Sequence, residues 1–200
     1  MCDLLLNHFA DYDFRIGLMG NAHTARHYTD RGALVEKYTH TSYKSETLKE
    51  WFKCANKLLK KGHQLPKTVF VLDDVLQLNK EKGKITTRAD PYINKLATAG
   101  RHYNAACILV VQSAQVALQF ARNSDVVLCS PSSLFAGQDF KALSELYMTG
   151  DFRKENKEIL RLFKKFDFLV LQYHKASRNQ TELLAYYRVN QQSLKYAYAI

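Results

Sequence analysis

Continuous apolar runs alternate along the chain with segments in which apolar residues recur every three or four positions. The runs predict buried strands, and the periodic segments predict amphipathic helices. Strands that alternate with helices in this way are covered on both faces, so we expect an α/β fold with a mainly parallel sheet flanked by helices. The predicted strands cover residues 13–20, 68–74, 105–112, 125–130, 167–175 and 182–189. A short polar link joins the last two, which predicts a C-terminal antiparallel hairpin at one edge.

The clearest predicted helix runs from Glu46 to Lys61. Ser45 or Thr47 is expected to cap its start, and Gly62 is expected to end it. Its predicted apolar face consists of Leu48, Trp51, Phe52, Ala55, Leu58 and Leu59.

Further helices are predicted over residues 1–9, 89–100, 114–123, 139–150 and 154–166. The helix over 89–100 is expected to close at Gly100 in a left-handed conformation. Two polar segments, residues 21–32 and 79–88, are predicted as loops.

The composition is that of a folded domain with a strong positive charge. The 200 residues are 46% hydrophobic and contain no linker or repeat, so we expect a single domain over residues 1–200. The 29 Lys and Arg against 19 Asp and Glu give a formal charge of +10, which favours a polyanionic partner. Neither a membrane span nor the pattern of a signal peptide is recognisable. We therefore expect an intracellular protein that is not secreted and has no membrane partner.

Two adjacent carboxylates, Asp73 and Asp74, follow the apolar run over residues 69–72. Reactive groups of open parallel sheets lie beyond the carboxyl ends of the strands, where these acids are expected. An apolar strand followed by two acids has the form of a Walker B motif. In that motif the first carboxylate holds Mg²⁺, usually through water, and the second orients or deprotonates the attacking water. Acids that merely end a buried strand would give the same pattern.

Gln112 ends the next long apolar strand, where an amide can sense a γ-phosphate or position the lytic water. A simple strand-end residue is the other interpretation. The order of elements carries more information: an apolar strand ending in LDD, a helix, the segment GRHYN and a strand ending in glutamine. This order resembles the genome-packaging ATPases of large DNA viruses, the poxvirus-type branch of the FtsK/HerA superfamily. The resemblance covers residues 14–187 and is most specific over residues 69–115.

The resemblance implies a RecA-like P-loop NTPase sheet that uses ATP and Mg²⁺ to translocate DNA. It implies that Asp73 holds Mg²⁺, that Asp74 and Gln112 act on the water and the γ-phosphate, and that Arg101 reaches the nucleotide of a neighbouring subunit. A phosphate contact, a DNA contact or a surface ion pair is the other interpretation of Arg101. The implied partners are double-stranded DNA without sequence preference, further copies of the chain in a ring, and capsid or packaging proteins. The implied location is the host cytoplasm or the virion.

The phosphate-binding loop G-x-x-x-x-G-K-[ST] of such ATPases does not occur in the sequence. The Gly-Lys pair Gly83-Lys84 is followed by Ile85 and comes after the acids rather than before them. The first residues resemble the end of the helix that follows this loop, so we expect the first strand and the P-loop to precede Met1. A fragment, a site split between two chains and a true loss all explain the pattern.

The missing loop bears directly on function. This chain alone is expected to be inactive as an ATPase. The alternative function is a non-catalytic module that binds DNA or docks onto a complete ATPase.

Two basic helices are candidate DNA contacts, and the sequence leaves open which of them faces DNA: the segment 151–165, and the polar face of the predicted Glu46–Lys61 helix with Lys49, Lys53, Lys57 and Lys60. Such lysine stripes are also the ordinary solvated face of an amphipathic helix. The sequence shows no base-reading motif, so binding would be directed at the DNA backbone. His23 and His27 in HTARH lack the glutamate of a zinc-binding HExxH motif, and no zinc site is predicted there.

Overall fold

The computed structural model describes residues 1–75, 78–81, 84–87, 90–112, 120, 124–129, 167–172 and 184–188. The chain divides into two compact units, Met1–Val111 and Gln112–Ile200. A single domain over the whole chain therefore stays a prediction.

The first unit contains helices and strands that follow one another closely along the chain. In order they are α1 Cys2–His8, β1 Phe14–Met19, α2 Ala22–Thr29, β2 Thr39–His40, α3 Ser45–Lys60, β3 Thr68–Asp73, β4 Leu78–Glu81, β5 Lys84–Thr87, α4 Pro91–Ala99 and β6 Ala105–Val110.

Four of these strands form a parallel sheet in the order β2-β1-β3-β6. The registers place Met19 of β1 beside Asp73 of β3, and Asp73 beside Val110 of β6. The predicted α/β class and the parallel sheet are confirmed. Because the strands are parallel, the carboxyl ends of β1, β3 and β6 meet at one edge.

β3 is the central buried strand, and its side chains alternate between the two faces of the sheet. Val69 and Val71 belong to a buried cluster with Leu5 of α1 and Tyr28 of α2. Phe70 points to the other face, where its ring packs edge-on against Trp51 of α3 with centroids 4.9 Å apart. Each fully buried side chain of this size stabilises the fold by about 1.5–3 kcal/mol. Helices thus cover both faces of the sheet.

α3 begins at Ser45, one residue before the predicted start at Glu46, so the residues predicted to cap it do not occupy the N-cap position. Lys44 occupies the N-cap position without a side-chain hydrogen bond. The cap predicted at Ser45 or Thr47 is wrong, because both residues already lie inside the helix. At the other end Gly62 adopts a φ of +78°, which ends the helix as predicted.

The apolar face of α3 is buried over most of its length but not at its end. Leu48, Phe52 and Ala55 are buried, whereas Leu58 and Leu59 are 40% and 41% exposed. The predicted face is therefore confirmed up to Ala55 and is wrong for the last turn.

Residues 21–32, predicted as a loop, contain the helix α2. Asn21 caps this helix, because its Oδ1 accepts the backbone N–H of Thr24 at 2.8 Å. Ala25 and Tyr28 lie three residues apart on one face and are buried. Two buried side chains on an otherwise polar segment are too few to produce a clear periodic signal in the sequence.

Residues 79–88 were also predicted as a loop, and this prediction is wrong. β4 and β5 form a separate antiparallel pair with Leu78 opposite Thr87 and Glu81 opposite Lys84. Backbone pairing in a ribbon does not need an apolar run, and the sequence Ile85-Thr86-Thr87 has high strand propensity.

Gly100 does not have the predicted left-handed conformation, since its φ is −53°. It starts a 3-10 turn, Gly100–Tyr103, that ends at Asn104, whose φ is +52°. A Cβ atom at Gly100 would lie 2.8 Å from the carbonyl oxygen of Ala105, so glycine is required here for space. Asparagine tolerates the left-handed region better than most residues, which explains why it supplies the turn.

In the second unit, β7 Val126–Cys129, β8 Asp167–Gln172 and β9 Leu184–Arg188 form an antiparallel sheet in that order. The β8–β9 pair confirms the predicted C-terminal antiparallel hairpin. Its predicted place at an edge of the parallel sheet is not observed among the described strands, because β8 and β9 form a sheet of their own with β7. The helices predicted over 114–123, 139–150 and 154–166 lie outside the described residues, apart from the helical Phe120. Within the described ranges, no helix is long and apolar enough to cross a bilayer.

Candidate functional site

Asp73 is the last residue of β3 and is held by a tyrosine from α2. Its position in the strand puts its side chain on the same face as Val69 and Val71, which is the face that α2 covers. The Tyr28 hydroxyl donates a hydrogen bond to Asp73 Oδ2 at 2.6 Å. Tyr28 is 2% exposed, so this short charge-assisted bond is shielded from water. The fold thus fixes the first of the two predicted acids.

The surroundings of Asp73 oppose its ionisation, and Tyr28 counteracts them. Burial raises the pKa of the Asp73 carboxyl, the Tyr28 hydrogen bond lowers it, and the neighbouring charge of Asp74 raises it further. Burial also raises the pKa of the Tyr28 hydroxyl, and the hydrogen bond to Asp73 adds to this effect. Tyr28 therefore remains a proton donor to the carboxylate throughout the physiological range.

Asp74 lies in a different environment from Asp73, although the two residues are adjacent. Its φ is +58°, a left-handed conformation that aspartate and asparagine tolerate best among non-glycine residues. The side chain is exposed, and the Asn21 amide donates to Asp74 Oδ2 over a long 3.5 Å. One acid is anchored and half-buried while the other is in solvent, and such a difference in environment allows two carboxylates to have different chemical roles.

Gly20 connects the end of β1 to both acids. Its backbone N–H donates to the Asp73 carbonyl oxygen at 2.9 Å. A Cβ atom at this position would lie 2.1 Å from the Asp74 carbonyl oxygen, a separation that backbone atoms cannot tolerate. Only glycine allows the loop after β1 and the loop after β3 to approach this closely.

The other two predicted catalytic residues lie beyond opposite ends of β6. Gln112 is exposed, follows the end of β6 by two residues and begins the second unit. Arg101 is exposed in the 3-10 turn before β6, at the amino edge of the sheet. Since Asp73 lies five residues beyond the Thr68–Ala105 pair, about 16 Å of strand separates the two edges. The structure therefore does not bring Arg101 to the acids of its own chain.

The predicted DNA-contacting lysines lie on the opposite side of the sheet from the Tyr28–Asp73 pair. All four are exposed on α3, the helix that covers the Phe70 face: Lys49, Lys53, Lys57 and Lys60.

Sequence reasoning did not identify Gly20, Asn21 or Tyr28 as site residues. The prediction of a loop over 21–32 hid the helical position of Tyr28, and the parallel register that brings it to Asp73 is not readable from spacing. One signal was available: a Gly-Asn pair directly after an apolar strand is typical of a tight turn into a capped helix.

The acids fit a hard cation that keeps most of its water. In the described part of the chain, no group of three or more His, Cys, Asp or Glu side chains could enclose a metal ion. Mg²⁺ needs no such enclosure, because it commonly binds through one or two carboxylates and several waters. The Tyr28 bond uses one of the roughly four acceptor positions of the Asp73 carboxylate, which leaves room for water-mediated contacts.

We predict that Tyr28→Phe destabilises the fold by about 1.5–3 kcal/mol at neutral pH, because a half-buried carboxylate loses its donor. The pKa of Asp73 should rise further, since the Tyr28 bond lowers it. A carboxyl whose pKa is higher in the folded than in the unfolded protein stabilises the fold fully at pH values below its unfolded pKa. This contribution is lost as the pH rises through the folded pKa, because the carboxyl must then ionise in the folded protein. The penalty of the variant should thus be larger at pH 7 than near pH 4. Urea denaturation at both pH values measures it.

Tyr12→Phe is the matched control, since Tyr12 packs beside Phe9 rather than at the acids. An equal penalty for Tyr28→Phe at both pH values would contradict the proposed coupling to Asp73.

Comparison with known proteins gives a structural match but no sequence match. No family model matches the chain, and no curated protein matches it. Among solved structures, the genome-packaging NTPase B204 from Sulfolobus turreted icosahedral virus 2, in complex with ATP-gammaS, is similar with a TM-score of 0.53 and 17% identity. That match covers 92% of this chain and 86% of the other.

Two further structures support the same fold. The AMP complex of the same viral NTPase gives a TM-score of 0.55 at 15% identity and covers 94% of this chain and 90% of the other. The DNA-packaging ATPase B204 from Sulfolobus turreted icosahedral virus gives a TM-score of 0.54 at 17% identity, covering 94% and 91%. The chain has the α/β fold of these viral genome-packaging NTPases, as the resemblance in its sequence implied.

Proposed function

We propose that the chain is the acid-bearing part of the core of an ATPase that packages or translocates DNA. In this proposal it works as a ring on double-stranded DNA with ATP and Mg²⁺. The observation that carries the proposal is the arrangement of the two acids: Asp73 anchored by Tyr28 and Asp74 open to solvent, at the carboxyl edge of a parallel sheet. The fold of viral packaging NTPases supports the assignment.

Each proposed residue has one chemical task. Asp73, held by Tyr28, is the carboxylate that would hold Mg²⁺ through its water shell. Asp74 orients the attacking water and takes its proton. Gln112 contacts the γ-phosphate or the same water, and Arg101 stabilises charge on a nucleotide bound by a neighbouring subunit. When bound, Mg²⁺ supplies positive charge that offsets the charge developing on the phosphate oxygens.

The chain lacks a sequence that could bind the β- and γ-phosphates, because it contains no G-x-x-x-x-G-K-[ST]. Hydrolysis therefore needs that loop from elsewhere, either in frame before Met1 or on a second chain. We use "complemented form" for the protein with the loop supplied in either way. Translation of the nucleotide sequence upstream of Met1 is the first step in finding it.

We predict that the chain alone hydrolyses no ATP above background with Mg²⁺ and duplex DNA, because its carboxylates have no bound phosphate to act upon. The complemented form should hydrolyse ATP, and DNA should stimulate it. A phosphate-release assay on both proteins measures this. Hydrolysis by the chain alone that Asp74→Asn abolishes would contradict the prediction.

The second candidate function is a non-catalytic module that binds DNA or docks onto a complete ATPase. The absence of the phosphate-binding sequence favours it. Duplex binding without hydrolysis in the complemented form would support this candidate and reject the first.

A further inference from the structure

A cavity of about 480 Å³ lies between α3 and α4, on the sheet face opposite Tyr28. Five of its lining residues are lysines: Lys49, Lys53, Lys57 and Lys60 of α3 and Lys95 of α4. None of the lining residues that the structure describes is acidic. Five like charges around one cavity make it a strong attractor for a polyanion.

Lys95 is fixed on an aromatic floor. Its Nζ lies 4.4 Å from the centroid of the Phe52 ring and 5.4 Å from that of Tyr103. The Tyr103 hydroxyl donates to Asn56 Oδ1 at 3.2 Å, which ties the floor to α3. Cation–π contacts of this kind hold an ammonium group in place without neutralising it. Lys95 therefore presents an ordered positive charge opposite the exposed lysines of α3.

The row of lysines on α3 is as long as several base-pair steps of DNA. Lys49 and Lys60 are eleven residues apart, which is about 16 Å along a helix. This length matches about five base-pair steps of duplex DNA at about 3.4 Å each. Like charges four residues apart destabilise a helix, and Glu50, 3.4 Å from Lys53, offsets only part of this repulsion. A row of phosphates would neutralise the rest.

The aromatic floor favours duplex DNA over a single strand. Proteins that bind single strands stack bases on exposed rings. Phe52 is only 2% exposed, and Lys95 covers its face, so a base cannot stack on it. Tyr92 also lines the cavity and is half-buried, and the rest of the lining offers a nucleic acid mainly positive charge at regular intervals, which suits an intact phosphate backbone.

We propose that the cavity between α3 and α4 grips the phosphate backbone of duplex DNA, with Lys95 as its fixed contact. This inference rests on the proposed function, which requires DNA, and it identifies the surface that carries the contact. Acidic proteins are the competing class of partner, and competition by polyglutamate distinguishes them from DNA.

The test is a fluorescence anisotropy titration of the chain with mixed-sequence duplex DNA over a range of salt concentrations. Five phosphate contacts predict a slope of log affinity against log salt of about −4.5, a loss of about 500-fold between about 50 and 200 mM salt. Lys95→Gln should reduce the slope to about −3.6, while Lys95→Arg should restore it. Lys37→Gln is the charge-matched control, because Lys37 lies against Tyr38 rather than in the cavity, and should leave the slope unchanged.

Two results would overturn the proposal. Equal effects of Lys95→Gln and Lys37→Gln would show that net charge, not this cavity, attracts DNA. Competition by polyglutamate as effective as that of duplex DNA of the same charge would assign the cavity to an acidic protein. If hydrolysis by the complemented form persists in either case, the proposed function stands and the cavity assignment alone fails. If the complemented form does not hydrolyse ATP but Lys95→Gln reduces the salt slope as expected, the cavity assignment stands and the proposed function fails.

Discussion

Asparagine in place of Asp74 should lower ATP turnover by the complemented form at least about 100-fold, because removal of a positioned general base typically costs a factor of about 10²–10⁴. The fold should be unaffected, since asparagine also tolerates the φ of +58° found at this position. Affinity for duplex DNA should not change either, because the basic cavity lies on the other sheet face. Steady-state phosphate release at saturating DNA measures the effect.

Asp30→Asn is the charge-matched control for this experiment. Asp30 is exposed at the end of α2, away from the acids at the end of β3. Its variant should keep parental turnover. Turnover of Asp74→Asn within about threefold of the parent would remove Asp74 from the proposed mechanism, since such a change is far below that expected for a base.

Alanine in place of Gly20 should impair stability and turnover together. Its Cβ would approach the Asp74 carbonyl oxygen to 2.1 Å, so the loops after β1 and β3 must separate. The separation breaks the bond from the Gly20 N–H to the Asp73 carbonyl and moves both acids. Overpacking of this kind costs about 1–3 kcal/mol, and we expect turnover to fall as far as in Asp74→Asn. Denaturant unfolding and phosphate release on the same preparation measure both effects.

Gly32→Ala is the control for Gly20→Ala, because it introduces backbone strain without a steric clash. Gly32 has a φ of +66°, and a Cβ added there would meet no atom within 4 Å, so alanine suffers only conformational strain of about 1–2 kcal/mol. Turnover should be unchanged in that variant. Full turnover in Gly20→Ala would contradict the view that the close approach of the two loops positions the acids.

The sequence was sufficient to predict those elements whose pattern of apolar residues is clear within one continuous segment. β3 is an uninterrupted apolar run, so both the strand and the acids at its end were predictable from physics alone. α3 has 16 residues and a clear apolar face, which again fixes the element if not its cap. The parallel direction of the strands followed from their alternation with helices, whereas their order in the sheet was not predicted.

The sequence was insufficient where structure depends on contacts between distant segments. In α2 only Ala25 and Tyr28 are buried, which is too few to give a periodic pattern in the sequence. The helix is stabilised by its tertiary packing. The Tyr28–Asp73 bond joins residues 45 positions apart. It exists because α2 follows β1 and β1 pairs in register with β3. No local pattern encodes such a pair, and the resemblance to packaging ATPases did not supply it.

The side-chain amide of Asn21 makes two hydrogen bonds of unequal strength, one to the start of α2 and one to Asp74. Its Oδ1 holds the start of α2 at 2.8 Å, while its Nδ2 reaches Asp74 only at 3.5 Å. The first bond is of ordinary strength and the second is at the limit of hydrogen bonding, so the second breaks first. A ligand that draws the Asp74 carboxylate away would therefore release Asn21 on one side without unwinding α2. The Asp74 side chain can thus reorient while α2, whose Tyr28 anchors Asp73, stays in place.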